Sequence, residues 1–405
     1  MTAASYRPWC TVCGTVDSAV HVCPSGGVIR FYYDGWQIEA DERSLWRYRA
    51  RLPISASTLP VSLGEGMTPL LRVAPERLGM PGPVWLKDET RNPTGSMKDR
   101  AMTLAYTHAR ETGAARTIIA SAGGSGIAAS AYAARAGIEH WVLVPADVPK
   151  ARLVLSALYG SHIMRLHGSF EDVDRVVRQA ESAGFMNVST YREANPFQAE
   201  GPKTIAYEIV EQLGKAPDMV IVPVGGGGTL AGIWEGFKDA AGLGLIDTLP
   251  KMVSVQNVLF NALEQALEVG ATTSEELQRI ASLIDEGRTT VTPSVRHAYP
   301  PDGMLALVAL SESHGYAVSA TDAEALAGQA LLAKAVGVFA EPSSALAVSA
   351  LAKVRPALAV DTSVVVVVTG LGLRDLGSPL LDRQVTLSAP IAVDQALGTI
   401  ASVPR

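Results

Sequence analysis

The amino-acid sequence predicts an α/β fold of two open, twisted domains with mostly parallel sheets, preceded by a small β-rich N-terminal extension. From about residue 84 onward, short apolar strands alternate with helical stretches, as in βαβ units. Three of these strands run directly into turns rich in glycine. Because ligands of open α/β sheets bind beyond the carboxyl ends of the strands, these turns are the predicted walls of a ligand site.

The three strand and turn units follow one another along the chain. The predicted strands cover residues 117–120, 219–224 and 364–368, and their turns cover residues 121–126, 225–229 and 369–372. We expect the turns to meet at one sheet edge, because the strands of a parallel sheet all point the same way.

A compact series between the first two units predicts a smaller inserted domain. Its further strands are expected near residues 141–144, 163–166 and 186–189, where apolar residues cluster. The predicted division is an extension over 1–45, a large domain over 46–112 and 190–390, a small domain over 113–189 and a C-terminal tail over 391–405.

The N-terminal extension carries all three cysteines of the chain. A strand is expected over residues 28–33, before the hairpin-type pair Asp34-Gly35, and the polar stretch 43–51 is expected to link the extension to the main body. Cys10 and Cys13 have the spacing of one zinc-ribbon knuckle. Further candidate ligands are Cys23 and His21.

A second complete knuckle is missing, because Gly26-Gly27 stands where a fourth cysteine is expected. The sequence therefore assigns no metal outright. A bound zinc ion and a metal-free structural flap both stay open for the extension.

Composition narrows the class of protein. The 405 residues are 48% hydrophobic and 18% charged, which is typical of a globular protein with a sizeable core. A net charge of -6 gives no basic surface for nucleic acid. Residues 1–9 lack the apolar stretch of a secretory signal, and the apolar run 364–368 is too short to span a membrane. A cytoplasmic enzyme is the default expectation.

Lys98 occupies an unusual position for a lysine. It lies in the turn-forming run 92–100, which leads directly into a predicted helix. The positive end of a helix dipole favours loss of the ammonium proton, and a less basic amine is a better nucleophile. The sequence therefore predicts a reactive amine at this position.

Two of the turns suit anions. The run Gly225–Gly228 lets successive backbone N–H groups converge on one anion at a helix N-terminus, which favours a phosphate. The turn 121–126 suits a carboxylate, through the backbone and hydroxyl groups of Ser121, Gly123, Ser125 and Gly126. The alternatives are close packing of a glycine turn and an ordinary capped turn. A lysine, a phosphate site and a carboxylate site together suggest pyridoxal 5'-phosphate acting on a small amino-acid substrate.

Five motifs in order carry a family resemblance. They are residues 92–100, 121–126, 225–229, 341–344 and 369–375. The chain resembles the fold type II pyridoxal-phosphate enzymes, which include the β-subunit of tryptophan synthase. Within them it is most similar to the threonine synthase family, through its cysteine-bearing extension and the block at residues 195–204.

The resemblance implies a role for each motif. Lys98 would form the Schiff base with the cofactor, Gly225, Gly226, Gly227, Gly228 and Thr229 would hold its phosphate, and Thr369 would face its pyridine nitrogen. The turn 121–126 would receive the substrate carboxylate, with Gln198 and Lys203 as further substrate contacts. The family also implies a homodimer.

Three positions depart from the family pattern. Gly124 stands where the resembling families place an asparagine that contacts the cofactor ring. Leu371 replaces another asparagine, and Gln198 replaces an arginine, which removes a bidentate phosphate partner. Lys203 remains as a candidate anion partner. His297 is a candidate for a second proton-transfer group.

The resemblance implies a lyase or transferase that performs β- or γ-elimination or replacement on an amino acid. Conversion of O-phosphohomoserine to threonine is the nearest named activity. The alternatives are a serine/threonine dehydratase, a β-replacement enzyme similar to cysteate synthase, and a catalytically idle protein that binds pyridoxal phosphate.

Overall fold

The computed structural model describes residues 6–14, 23 and 27–375. The strands of this part are β1 (Tyr6–Cys10), β2 (Ile29–Tyr33), β3 (Leu70–Val73), β4 (Val84–Asp88), β5 (Arg116–Ala120), β6 (Glu139–Pro145), β7 (His162–Leu166), β8 (Met186–Asn187), β9 (Met219–Pro223), β10 (Lys251–Asn257), β11 (Tyr316–Ala320) and β12 (Val364–Val368). The helices are α1 (Lys98–Glu111), α2 (Gly124–Ala136), α3 (Val154–Leu158), α4 (Phe170–Ala180), α5 (Lys203–Leu213), α6 (Gly228–Gly242), α7 (Ala262–Glu268), α8 (Ser274–Ala281), α9 (Gly303–Glu312), α10 (Asp322–Val336), α11 (Pro342–Ser349) and α12 (Leu351–Val354).

The larger sheet has six strands in the order β11-β10-β9-β12-β4-β3. Every neighbouring pair is parallel except β3 and β4. Strand β12 consists of five valines, all buried, because helices cover both faces of a parallel sheet. The apolar core accordingly divides into two clusters that both draw side chains from β9, β10 and β12.

The smaller sheet has four parallel strands in the order β7-β6-β5-β8. The predicted α/β fold with two mostly parallel sheets is therefore confirmed. The expectation of a single shared sheet edge was wrong for one turn. Residues 121–123 follow β5 of the smaller sheet, whereas residues 225–227 and 369–371 follow β9 and β12 of the larger one.

The division into domains stays a proposal. Strands β5 to β8 fall within the proposed small domain, and β3, β4 and β9 to β12 fall within the proposed large domain. The described residues through position 374 nevertheless pack as one compact unit. The proposed C-terminal tail lies outside the described residues.

The N-terminal extension contains a hairpin of a different kind from the one expected. Strand β2 pairs antiparallel with β1, with Cys10 opposite Ile29. No strand follows Asp34-Gly35 before β3 in the described part of the chain, so that pair ends β2 without forming a hairpin. His21 lies outside the described residues.

The stretch expected to be a polar linker is a packed element. Residues Leu45–Arg51 form a 3-10 helix that begins at Ser44, whose side chain accepts the N–H of Trp46. Leu45, Trp46 and Tyr48 are buried, so their apolar area outweighs the charges between them. No helix within the described ranges is long and apolar enough to cross a membrane.

A buried ion-pair network fixes the first turns of α1. The Arg100 guanidinium donates to both carboxylate oxygens of Glu89 and of Glu208, and all three side chains are fully buried. Lys87 of β4 donates to the same Glu208 carboxylate over 2.6 Å. These bonds join α1, α5 and the larger sheet two residues after Lys98, so buried charge pairs help to hold the start of its helix.

Candidate active site

The loop before α1 is joined to the turn after β12 by backbone hydrogen bonds. The Met97 N–H donates to the Thr369 carbonyl over 3.0 Å, and the Leu371 N–H donates to the Gly95 carbonyl over 2.8 Å. Gly95 has a φ of 80°, which favours glycine, and the Leu371 side chain packs against its open face. Two distant motifs thereby fix where Lys98 begins its helix.

Lys98 lies in a cavity at the carboxyl edge of the larger sheet. The empty space beside its lining atoms, open solvent included, is about 260 Å³. Its lining residues are Met97, Lys98, Ala101, Thr190, Gln198, Ala199, Pro202, Gly228, Thr229 and Asp302. The lining therefore brings together four residues that the sequence singled out, namely Lys98, Gln198, Gly228 and Thr229.

The amine of Lys98 forms no salt bridge with the described residues, so it is available to react. Its Nζ donates to the Thr190 hydroxyl over 3.3 Å. Burial lowers the pKa of Lys98 below its ordinary value, while the carboxylates of Asp302 and Glu341 act in the opposite direction. An amine with a lowered pKa is more often unprotonated, which is the form that attacks a carbonyl.

Thr190 connects the two sheets at this cavity. Its hydroxyl lies 3.2 Å from the Ser125 hydroxyl in the first turn of α2 and also accepts from Lys98. The predicted carboxylate turn therefore reaches the lysine through a single side chain, although it belongs to the smaller sheet. Thr190 follows β8, the short edge strand of that sheet.

The predicted carboxylate turn is held in shape by Ser121. The Ser121 hydroxyl accepts the N–H groups of Gly123 and Gly126, each over 3.2 Å. A side chain at Gly126 would overlap the Ser121 carbonyl, so this close approach requires glycine. A side chain at Gly123 would meet no atom within 4 Å, which leaves open space beside the start of α2. An anion at this place would meet the positive end of a helix.

The glycine turn after β9 packs closely against residues 294–303. Added side chains at Gly225 and Gly227 would collide with His297 and with the Asp302 backbone, at 2.9 and 2.7 Å. Gly227 has a φ of 96° and caps α6, a helix of 15 residues. Close packing is thus one role of these glycines. Gly228 and Thr229 also line the Lys98 cavity, so the same turn presents a helix N-terminus to it.

Two titratable side chains from residues 297–302 face this region. Burial raises the pKa of Asp302 to about 6, while the N–H of Arg192, which donates to its carboxylate, and the charge of Lys98 oppose the rise. Burial and the charge of Lys98 lower the pKa of His297 to about 4. At neutral pH, His297 is therefore a neutral imidazole that is able to accept a proton.

Not every predicted residue lies at the cavity. The Lys203 amine donates to Glu200 over 2.7 Å and to Asp239 over 3.2 Å, in a buried cluster outside the cavity lining. Thr369 donates its N–H to the Ser344 hydroxyl over 2.6 Å and lies next to the Lys98 loop. The role of each of these residues stays a proposal.

Sequence reasoning missed Thr190 and Asp302. Thr190 follows a strand of only two residues. Its place beyond the end of a parallel strand was the one signal available in the sequence. Asp302 follows Pro300-Pro301 and precedes α9, so its sequence context is that of an ordinary helix N-terminus. Its side chain instead accepts the backbone N–H of Arg192 over 3.0 Å.

The cavity fits pyridoxal phosphate. It combines an amine of lowered pKa with the N-terminus of a long helix, where Gly228 and Thr229 line the same cavity. Lys98 would hold the aldehyde carbon, and Gly228 and Thr229 would lie at the phosphate. The fold and the site thus define a class of enzyme that uses this cofactor on amino acids.

Comparison with known proteins agrees with this class. The family described as pyridoxal-phosphate dependent enzyme matches residues 61–370. The threonine synthase of Methanocaldococcus jannaschii is 35% identical over 385 residues, which cover 90% of this chain and 92% of the relative. The threonine synthase of Mycobacterium tuberculosis is 36% identical over 357 residues, which cover 87% and 94%.

Among solved structures, maize serine racemase aligns with a TM-score of 0.65 at 18% identity, covering 78% of this chain and 91% of that one. This likeness shows the fold alone. The family match and the sequence relatives place the chain in the family of pyridoxal-phosphate-dependent enzymes. The chain is a threonine-synthase-like lyase, and pyridoxal 5'-phosphate is its cofactor.

Proposed function

We propose that this protein converts O-phosphohomoserine and water to threonine and phosphate. The observation that carries the proposal is the partly buried Lys98 amine beside a helix N-terminus, in a chain similar to threonine synthases over nine-tenths of its length. When bound, pyridoxal phosphate withdraws electrons from the substrate Cα, which makes the Cα proton acidic.

The chain supplies binding and proton transfer around that centre. We propose that the substrate carboxylate binds in the open space at Gly123, where the N-terminus of α2 favours an anion. The Lys98 amine then takes the Cα proton, because burial lowers its pKa and so favours the unprotonated form. The Lys98 amine is also the candidate base for one Cβ proton, and its removal would let the phosphate leave from Cγ. A proton delivered to Cγ, water added at Cβ and a proton returned to Cα would then complete the conversion.

Thr190 is the residue that we propose to replace the missing asparagine at Gly124. Its hydroxyl lies 3.3 Å from the Lys98 amine and 3.2 Å from the hydroxyl of Ser125 in the first turn of α2. Ser125 directly follows Gly124 in the chain. A hydroxyl both donates and accepts, so it is able to support the neighbouring groups in either protonation state.

Asp302 sets the charge balance of the cavity in this proposal. A side chain added at Gly228 would overlap the Asp302 carboxyl group, so that group lies at the same helix N-terminus as the proposed phosphate. Two anions at one helix end repel each other, and the pKa of Asp302 is already raised to about 6 by burial. We therefore expect phosphate binding to raise the pKa of Asp302 further.

The substrate is tested by product identification with the purified, cofactor-loaded protein. O-Phosphohomoserine is expected to yield phosphate and threonine in equal amounts. Release of ammonia and a 2-oxoacid from serine or threonine, with no threonine formed from O-phosphohomoserine, would favour the dehydratase alternative and contradict the proposal.

Gln198 offers a sharper test of how the phosphate ester is recognised. Gln198 is buried in the cavity lining, where Lys98 is the single cation among the described lining residues. Gln198→Arg is expected to lower the KM for O-phosphohomoserine by about tenfold, since a guanidinium binds phosphate through two hydrogen bonds. Gln198→Met is the control of similar length, and an equal KM for both variants would place the phosphate ester elsewhere.

The homodimer implied by the family stays part of the proposal. Sedimentation of the loaded protein is expected to give a mass near twice the 42.6 kDa of one chain. A single-chain mass at working concentration would contradict it.

A further inference from the structure

The three cysteines of the N-terminal extension converge in the folded chain. Cys10 is the last residue of β1, and Cys13 lies in the turn that follows. Cys23 is ten residues after Cys13 in the sequence and lies close to both. Their three sulfur atoms all lie within 4.8 Å of one another. This arrangement is independent of the cofactor site.

The turn between Cys10 and Cys13 is shaped around the sulfur of Cys10. The Val12 N–H donates to Cys10 Sγ over 3.4 Å, and the Gly14 N–H donates to the Cys10 carbonyl over 2.9 Å. Gly14 has a φ of 74°, which lets the chain turn away after Cys13. A hydrogen bond donated to sulfur stabilises the thiolate form, which is the form that binds metals.

The opposite side of the cluster is formed by backbone. A side chain at Gly27 would overlap Cys10 Sγ, so the chain approaches this sulfur as closely as only glycine allows. Two hydrogen bonds hold that approach, because the Thr11 N–H donates to the Val28 carbonyl and the Val28 N–H donates to the Thr11 hydroxyl, each over 3.0 Å. Main chain thus closes one side of the Cys10 sulfur.

The three cysteines differ in how far they are exposed to solvent. Cys10 and Cys23 are buried among Ile29, Phe31 and Phe197, whereas Cys13 is exposed. Two sulfurs are therefore held in an apolar setting, and the third gives access from solvent. Three thiolates this close repel one another unless a cation lies between them.

We propose that Cys10, Cys13 and Cys23 supply three ligands to one zinc ion. Thiolate ligands select soft or borderline cations, and zinc takes four ligands in a tetrahedron. A disulfide between Cys13 and Cys23, whose sulfurs lie 3.5 Å apart, is the competing outcome.

The zinc ion would fix the extension beside the active site. Phe197 packs against Phe31 of the hairpin, with ring centroids 5.0 Å apart, and precedes Gln198 of the cavity lining. Arg192 donates through its guanidinium to the Ile29 carbonyl over 3.1 Å and through its backbone N–H to Asp302. The sulfur cluster and the Lys98 cavity therefore share two connecting residues.

The test measures zinc in the full chain purified without chelators. About one zinc ion per chain is expected after incubation with excess zinc and gel filtration. Cys13→Ser is expected to lose most of it, since Cys13 supplies one of three ligands. Val12→Ser is the matched control, because Val12 lies in the same turn, is 67% exposed and offers no sulfur.

A second measurement uses the unaltered protein, in case the variant misfolds. Titration with a mercurial reagent is expected to release the zinc ion as three thiols react, and cobalt in place of zinc is expected to show thiolate charge-transfer absorption. Less than about a tenth of an ion per chain, or a peptide map with a Cys13–Cys23 disulfide in freshly purified protein, would overturn the proposal.

Discussion

Two lysines on either side of the loop between β4 and α1 occupy opposite kinds of environment. Lys87 is fully buried, and its amine donates to Glu208, to the Thr68 carbonyl and to Gln212 over 2.6, 2.7 and 3.0 Å. Lys98 has one hydrogen bond of 3.3 Å, to a neutral hydroxyl. Burial lowers the pKa of both lysines, although Glu208 opposes the effect strongly at Lys87.

Within one short segment, Lys87 therefore has a structural role and Lys98 a chemical one. All three donor positions of the Lys87 ammonium are used, so that lysine is a structural cation. The Lys98 amine lies in a cavity with weaker partners, so it is available for reaction. Lys87 belongs to the Arg100 network through Glu208, whereas the Lys98 amine bonds to Thr190.

The largest expected effect is on activity, from Lys98→Ala. Turnover should fall by at least about 10³-fold, because the variant lacks the group that bonds to the cofactor and moves the proton. Its free energy of unfolding should change by less than about 1 kcal/mol, because no ion pair is broken. Steady-state kinetics and urea unfolding measure the two effects. Lys251→Ala, at an exposed lysine, is the control, and normal turnover by the Lys98 variant would contradict the assignment.

Lys87→Met should give the opposite result. The loss of a buried ammonium leaves part of the Glu208 charge unpaired, which is expected to cost about 3–5 kcal/mol of unfolding free energy. The fraction that remains folded should keep a kcat within about twofold of the original, since Lys87 contacts no cavity residue in its hydrogen bonds. A variant that is as stable as the original protein but inactive would contradict the distinction between the two lysines.

The acid stability of the protein should report on the same network. Burial alone would raise the pKa of Glu208. The charges of Arg100 and Lys87 nevertheless hold this pKa at about 2, against an ordinary value of 4.5. This depressed pKa contributes stability that is fully present above pH 4.5 and is lost as the pH falls towards 2, by roughly 3 kcal/mol. Urea unfolding across that range measures the loss. Lys87→Met should show a shallower dependence, and identical slopes would contradict the coupling.

The smallest effect is expected at Thr190. Thr190→Val keeps the shape of the side chain and removes the hydroxyl shared by Lys98 and Ser125, so kcat should fall by about tenfold, with little change in stability. Thr190→Ser keeps the hydroxyl and should restore most of the activity. Equal rates for both variants would show that the hydroxyl has no part in the reaction.

The sequence predicted the local units of this fold better than their assembly. The alternation of strands and helices placed β5, β9 and β12 within one or two residues, because hydrophobic period and glycine turns are local signals. Although the predicted small domain included β5, the expectation that all three turns share one sheet edge was wrong for the turn after β5, since strand order depends on contacts between distant segments.

The same limit applies to single residues of the site. Lys98 could be singled out because its position in a helix start is visible locally. The placement of Lys203 depends on Glu200 and on Asp239, which is far away in the chain, so its ion pairs were hidden from sequence reasoning. Thr190 reaches Lys98 across 92 positions of the chain, and no local pattern records such a contact.

The most direct test of the central claim is to identify the lysine that bonds to the cofactor. Borohydride reduction of the loaded protein makes that bond permanent, and peptide mass spectrometry then locates it. We expect the phosphopyridoxyl group on Lys98 and none on Lys87. A label on Lys87 or on another lysine, or no label on protein that has taken up pyridoxal phosphate, would contradict the account.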